Sequence, residues 1–300
     1  MSGRSPEVVC IGAATLDAIA AVEHYPASDE RVEAVDFVQA GGGPAATAAV
    51  TLARLGIPVF FVGTIGDDPA GKTIRDDLAS EGVDLSHLSV VRGARSAMSV
   101  SVVDLKGETR AICAFPSSIG PPVLAAPAVD SCQRAAWVHV DHMGYRSIAK
   151  LESGEARVKL SIDAGNPIDG LRLDGVALFA PTGDGLSSRY KGLDIESAMQ
   201  AALGEGAGTV VVTLGAKGSM AATAFEIVSA PPYETDTYST LGAGDVFHGA
   251  LLAQLVEDRP LEESLTRANK VAALSCRALD GRSAIPTARE LLASDTDTGM

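Results

Sequence analysis

The chain has 300 residues, 46% of them hydrophobic but only 4% aromatic, so it can bury a sizeable core built from Ala, Val, Leu and Ile. Its formal net charge of -14, with no basic stripe or Lys/Arg run, argues against nucleic-acid partners and anionic membranes. The four cysteines (Cys10, Cys113, Cys132, Cys276) are scattered without a CxxC pair, and no uninterrupted apolar run approaches the roughly 20 residues that span a bilayer. Buried free thiols in a cytoplasmic protein are expected.

Glu7 to Ala13 reads as a buried strand ending at a glycine. The stretch from Val8 to Val22 is the best signal-peptide candidate, but Asp17 interrupts it and only Arg4 precedes it. Arg31 to Val38 alternates charged and apolar residues as a half-exposed strand does. Three glycines then open an Ala-rich helix, Pro44 to Leu55, which Gly56 ends. Pro58 to Val62 is the next strand, and Ala70 to Ser80 the next helix, stopping near Gly82. Ala97 to Phe115 breaks the rhythm, because two alternating runs around Leu105-Lys106-Gly107-Glu108 predict a β-hairpin with one polar face.

Strands follow at Trp137 to Val140, Leu160 to Asp163, Val176 to Ala180 and Thr209 to Leu214, with room for helical crossovers between them. Helices near Ala243 to Glu257, Leu261 to Leu279 and Thr287 to Leu292 close the pattern, and the polar tail Ala293 to Met300 is expected to fray. Strand and helix in alternation predict an α/β fold with a parallel sheet covered on both faces. The hairpin and the 31–38 strand do not fit that sheet and are expected to form a small separate one, a lid. One domain over residues 1–300, its lid drawn from about 14–40 and 95–116, fits better than two.

The richest segment is Thr240-Leu241-Gly242-Ala243-Gly244-Asp245-Val246-Phe247-His248-Gly249-Ala250-Leu251-Leu252, a small-residue turn feeding an apolar helix. The first turn of such a helix leaves N–H groups unpaired and carries partial positive charge, so an anion is expected there. A carboxylate, Asp245, facing an anion site is unfavourable unless it has a task such as taking a proton from an attacking hydroxyl. The plain alternative is an ordinary helix start with an acidic first turn.

A literal Walker A string, Gly66-Asp67-Asp68-Pro69-Ala70-Gly71-Lys72-Thr73, also lies between a strand and a helix. Two aspartates beside a polyanion repel it, and no magnesium-binding strand follows, so a turn and helix cap is the better reading. His139 and His142 flank Asp141 on a strand, where a spacing of three does not bring two imidazoles to one ion; no third ligand is in view. Asp141 falls where a parallel strand ends, as do Asp17 and the turn Gly41-Gly42-Gly43, and ligands of open α/β sheets bind at such ends. Thr213-Leu214-Gly215-Ala216-Lys217-Gly218 follows the strongest late strand, and its glycines either admit a nucleotide phosphate or turn a hairpin into Ser219 to Thr223. Two glycine-rich sites at sheet ends, an anion-binding helix start with a carboxylate and a lid that excludes water together describe a small-molecule phosphotransferase.

These residues resemble the ribokinase or phosphofructokinase B family of carbohydrate kinases over nearly the whole chain. Gly41-Gly42-Gly43-Pro44-Ala45-Ala46-Thr47 with Ala53-Arg54-Leu55-Gly56 resembles the family's first signature, Gly63 to Gly71 a further loop, and Gly242-Ala243-Gly244-Asp245 its second signature. Within the family, Asp245-Val246-Phe247-His248-Gly249-Ala250-Leu251 and Gly281-Arg282-Ser283-Ala284-Ile285-Pro286 are most similar to sulfofructose kinases. The resemblance implies a ribokinase-like three-layer sandwich with a mostly parallel central sheet and a small β lid. It implies ATP and Mg²⁺ as cofactors, a sugar as substrate, and a homodimer joined through the lid.

Carried over by position, the resemblance makes Asp245 the catalytic base, with Gly242, Ala243 and Gly244 supplying backbone donors. Asp17, Gly41, Gly42 and Gly43, with Arg31 and Asp141, fall to the substrate; Thr213, Gly215, Gly218 and Asn269 fall to the nucleotide. Several positions depart from the pattern. Gly43 and Ala46 replace the Lys and Asn of ribokinases, which disfavours ribose. Thr182 and Gly185 replace the Asn and Glu of the magnesium element, leaving Asp184 as the metal candidate. Ser239-Thr240-Leu241 replaces the Asp-Thr-Thr tied to monovalent cations, leaving that dependence open. Ala114 and Met143 replace two sulfonate-holding residues, while Arg31 keeps the basic one, and Arg110, Arg146 or a partner subunit could substitute. A ketose or ketose-derivative kinase is expected, with a nucleoside kinase or a non-catalytic sugar-sensing relative as alternatives.

Overall fold

The structure is a computed structural model that describes residues 7–107, 109–148, 151 and 158–297. Its strands in chain order are β1 (Val8–Ile11), β2 (Thr15–Val22), β3 (Asp36–Gly42), β4 (Val59–Val62), β5 (Thr64–Gly66), β6 (Ser89–Val91), β7 (Ala97–Asp104) and β8 (Thr109–Phe115). They continue with β9 (Trp137–Val140), β10 (Leu160–Ala164), β11 (Leu178–Pro181), β12 (Thr209–Thr213), β13 (Ser219–Ala222) and β14 (Ile227–Ala230). An eight-stranded sheet runs β14-β13-β12-β11-β10-β9-β1-β4. Its members from β4 to β12 are parallel, and the two at the far edge are antiparallel.

Alternation along the strands divides the core in two. Val8, Cys10, Leu178, Ala180 and Val211 face the helices Pro44–Arg54, Ala243–Val256 and Leu261–Ser275. Val9, Ile11, Val138, Val140, Ile162, Phe179, Val210 and Val212 face the other way, toward the helices Ala126–Arg134 and Ile195–Gly204. Both faces of the parallel sheet are therefore apolar, as its strands, continuous in hydrophobicity, require.

A second sheet, β3-β2-β7-β8, contains the expected hairpin. Its turn residue Glu108 lies outside the described residues. The strand expected at 31–38 begins only at Asp36 and runs on to Gly42, so the charged segment before it is irregular and the glycines finish a strand. Thr15–Val22, which carries no clean alternation, pairs antiparallel with β3 and parallel with β7 and becomes the centre of this sheet. Ile19, Ala21 and Val103 pack with Leu279 and Leu241, seating the sheet beside the turn that precedes Ala243. The helix expected to stop at Leu292 continues to Asp297, and residues 298–300 lie outside the described residues. All four cysteines are free, but Cys113 is exposed on β8 rather than buried.

Gly249 sits inside the Ala243–Val256 helix, where glycine is ordinarily destabilising. A Cβ there would stand 2.6 Å from the Ala48 carbonyl oxygen and 2.7 Å from Thr51 Cβ, so the two helices approach at backbone distance. Gly249→Ala is expected to lower stability by about 1–3 kcal/mol through overpacking, although helix propensity alone favours alanine. A thermal melt shows it; an unchanged or raised melting temperature would contradict the close approach.

Candidate active site

The connections from β1 and β9 leave in opposite directions, and the crevice at such a switch point is where open α/β sheets bind ligands. Asp141 sits there, at the end of β9. Its Oδ2 accepts the Ala13 N–H at 2.8 Å and the Ala45 N–H at 3.2 Å; its Oδ1 accepts Met143 and Gly144 at 2.8 and 2.9 Å. A carboxylate offers about four lone-pair sites, so Asp141 is fully occupied by backbone. It is also 1% exposed. Those four bonds make Asp141 a tie between the segments that line the crevice.

Three N–H-rich turns converge on that carboxylate, and the next one out is Gly41-Gly42-Gly43. Gly43 has φ 91° and starts the Pro44–Arg54 helix without a side-chain cap. A Cβ on Gly42 would overlap the Asp17 carboxylate, and one on Gly41 would overlap Arg282 and Asp77. Asp17, half-buried on β2, accepts the Ser99 hydroxyl at 2.8 Å through Oδ1. Behind the glycines lies Arg282, 5% exposed, whose guanidinium donates to Gly42 O at 2.7 Å, Thr47 Oγ1 at 3.1 Å and Asp77 Oδ2 at 2.9 Å. Nothing local in the sequence marks Arg282, because its contacts are made across 240 residues of chain.

Gly242 is left-handed, at φ 74°, and its Cα faces Gly281 closely enough that a Cβ would stand 3.0 Å from it. It begins the Ala243–Val256 helix, again without a side-chain cap. By contrast Asp68, Thr182 and Asp194 each cap their helices. Ala243 N–H donates to Thr240 O at 3.3 Å, leaving the N–H groups of Gly244 and Asp245 without a partner among the described residues. Of the expected backbone donors, Ala243 is thus partly engaged and the Asp245 amide joins Gly244. An uncapped first turn can hold an anion.

Burial pushes the Asp245 carboxyl up to about 7, with Asp163 and Asp141 adding repulsion and His248 and Arg282 opposing it. A carboxylate tuned toward neutrality is suited to general-base work. His248, three residues on, places Nδ1 2.9 Å from Asp163 Oδ2. Burial works against both charges, but each raises the other's ionisation, lowering the Asp163 pKa and raising that of His248. Asp163 ends β10 as Asp141 ends β9; the same strand-end rule could have found it.

Across the sheet, Thr213 closes β12 and is half-buried, Gly215 has φ 58° and Gly218 φ 85°. A Cβ on Gly218 would overlap Ala230 O, so the turn is shaped by β14 as well. Asn269, 9% exposed, donates Nδ2 to Ala230 O at 3.2 Å and Pro231 O at 2.8 Å. Its amide is thereby tied to the same strand end as Gly218. Asp184 is exposed in the first turn of the Gly183–Arg189 helix and makes no salt bridge among the described residues. Arg31 is exposed in the segment before β3, not on the strand. Arg110, on β8, donates to Thr240 Oγ1 at 3.0 Å and so joins the small sheet to the turn before Gly242.

The Walker-like string behaves as a turn. Asp68 accepts Gly71 N–H at 2.8 Å, Ser96 N–H at 3.0 Å and the Ser96 hydroxyl at 2.6 Å. Lys72 pairs outward with Asp76 at 2.6 Å. Gly66 and Gly71 have no Cβ because backbone oxygens of Ala94 and Gly66 occupy that space.

With this geometry the pfkB family carbohydrate kinase profile matches residues 5–164 and 171–288. Ribokinase of Bacillus subtilis (strain 168) is 24% identical over 289 residues, covering 95% of this chain and 97% of the relative. Fructokinase-1 of Oryza sativa subsp. japonica is 28% identical over 333 aligned positions, covering 97% and 98%. The solved structure of Arabidopsis thaliana ribokinase complexed with ribose and ATP superposes with a TM-score of 0.83 at 25% identity, over 97% of this chain and 98% of that one. The chain belongs to the pfkB family of carbohydrate kinases.

Proposed function

We propose that the protein transfers the γ-phosphoryl group of ATP to a hydroxymethyl oxygen of a sugar, a ketose or ketose derivative, with Asp245 as the base. The observation that carries this reading is a half-buried carboxylate, its pKa pushed up to about 7, in the first turn of a helix whose N–H groups are left uncapped. The sugar lies against Asp17, Gly41 and Gly42; the absence of a Cβ on Gly42 lets the Asp17 carboxylate stand against the turn, and that on Gly41 lets Arg282 and Asp77 pack behind it. Gly43 fixes the direction of the following helix, and Arg282 holds the glycine turn from behind.

ATP lies along Thr213, Gly215 and Gly218, with Asn269 supporting the strand end beside them. The γ-phosphoryl group meets the N–H groups after Gly242 as the hydroxyl loses its proton to Asp245. Alignment and electrostatic stabilisation supply most of the acceleration in such a transfer. Asp184, an exposed oxygen donor, fits a Mg²⁺ ion, which takes one or two carboxylates and otherwise keeps phosphates and water. Bound there, the ion would neutralise charge on the phosphates.

The small sheet acts as the lid. It exposes Phe37 at 59% and Val100 at 54% on one face, and a second copy of the chain covering this face fits their apolar character. A ketose is preferred over ribose because Gly43 and Ala46 leave no polar side chain in the first glycine turn, and a fructokinase is among the matched relatives.

Asp245→Asn is expected to retain sugar and ATP binding by calorimetry while lowering kcat by about 10²- to 10⁴-fold, the usual worth of a positioned base. Lys72→Ala, in contrast, should leave kcat and the KM for ATP nearly unchanged, since its partner is an exposed Asp76. The reverse pattern would move the phosphate site to the Walker-like turn.

Arg31 is assigned to the far end of an anionic substrate. Arg31→Ala is then expected to raise KM by about tenfold for a sulfonated or phosphorylated ketose, the scale of a lost charge-assisted hydrogen bond, with little change for a neutral one. Equal, weak effects on both would remove Arg31 from the specificity of the site.

A further inference from the structure

The sequence offered His139 and His142 as a histidine pair without a third ligand. The fold gives His139 different companions. His139 on β9 and Asp163 on β10 share the sheet face covered by the Ala243–Val256 helix, because the register sets His139 against Ser161, two residues before Asp163. His248 descends from that helix one turn after Asp245. One donor atom from each of His139, Asp163 and His248 lies within 4.8 Å of the other two. Their exposures are 0%, 3% and 5%.

His139 Nε2, Asp163 Oδ2 and His248 Nδ1 are all fully enclosed and without a hydrogen bond. The last two approach to 2.9 Å as an ion pair, which leaves His139 Nε2 with no group to meet it. The remaining atoms of the first two residues are fixed from outside: His139 Nδ1 lies 3.0 Å from Ser161 Oγ, and Asp163 Oδ1 accepts the Gly165 N–H at 2.8 Å. Outer hydrogen bonds of this kind set the orientation of metal ligands and leave the inner atoms free to coordinate. A purely hydrogen-bonded cluster would leave His139 Nε2 orphaned in the core, which native structures avoid.

We propose that His139, Asp163 and His248 bind one divalent transition-metal ion of the zinc class, between the sheet and the helix that carries Asp245. Two imidazoles and a carboxylate are the donors such ions accept, whereas Mg²⁺ prefers an all-oxygen shell; the site is therefore distinct from that of the nucleotide's ion. A dication also offsets the mutual repulsion of Asp163, Asp141 and Asp245. The ion ties β9 and β10 to the helix and acts as a structural lock behind the base.

The test uses the whole protein, stripped with a chelator and titrated with Co²⁺ in the absence of ATP. One equivalent is expected to bind, to produce visible ligand-field bands, to raise the melting temperature and to resist displacement by excess Mg²⁺. X-ray absorption of the loaded protein should show imidazole and oxygen neighbours. His139→Gln, outside the residues assigned to substrate and chemistry, should keep the circular dichroism spectrum and lose the bands. Absence of stoichiometric Co²⁺ in the wild type, a shell without imidazole, or undiminished bands in folded His139→Gln would each overturn the site. Because the first two readouts need only the wild type, a variant that fails to fold leaves the proposal open to refutation.

Discussion

The carboxylate of Asp141 is the interaction on which the rest of the crevice depends. It gathers N–H groups from the end of β1, the start of the Pro44–Arg54 helix and its own turn. A buried carboxylate is tolerable only when its lone pairs are met, and here they are met by backbone from three segments far apart in sequence. Room for it exists because Gly12 has no Cβ, and Gly144 has none where Ile11 O stands. Removing the carboxylate would release the glycine turn, the β1 end and the helix start together.

Around that fixed point the helices divide by how they begin. Those starting after Asp68, Thr182 and Asp194 are closed by the side chain of the preceding residue; the one after Gly43 begins with Pro44 and gives its Ala45 and Ala46 N–H groups to Asp141 and Ala13 O, whereas the one after Gly242 leaves the Gly244 and Asp245 N–H groups without a partner among the described residues. Open starts cost stability in isolation, since orphan N–H groups face solvent. Here the closed start after Gly43 and the open one after Gly242 lie near the same crevice, one beside Asp17 and Arg282, the other bearing Asp245. The apolar face of the Ala243–Val256 helix, its glycine contact with the Pro44–Arg54 helix and the Arg282 clamp hold the two helices in place. In the proposed reaction the open start after Gly242 is where sugar and phosphoryl group meet.

Much of the fold was legible where strands are continuous apolar runs. Trp137–Val140 and Thr209–Thr213 were readable because a strand buried on both faces shows its hydrophobicity without ambiguity. The small sheet was harder. Thr15–Val22 follows β1 so closely that the two merge into one interrupted run, and the charged alternation at 31–35 proved to be irregular chain rather than strand. Among candidate site residues, Asp245 and the glycine turns stand out in the sequence because their signal lies within a few positions. A strand-end carboxylate such as Asp141 looks alike in sequence whether it meets ligand or backbone. Asp163, His248 and Arg282 were missed because their meaning lies in partners from other elements.

The central claim is that ATP is consumed at this crevice for the benefit of a sugar hydroxyl. The most direct measurement is ADP release by the purified protein with Mg²⁺ and ATP across neutral and anionic ketoses, ribose and nucleosides. The account expects turnover with a ketose or ketose derivative, well above that with ribose or any nucleoside, and a phosphate ester on a hydroxymethyl carbon of the product. Turnover confined to nucleosides, or ATP left intact in the presence of every sugar while sugar still binds, would contradict it.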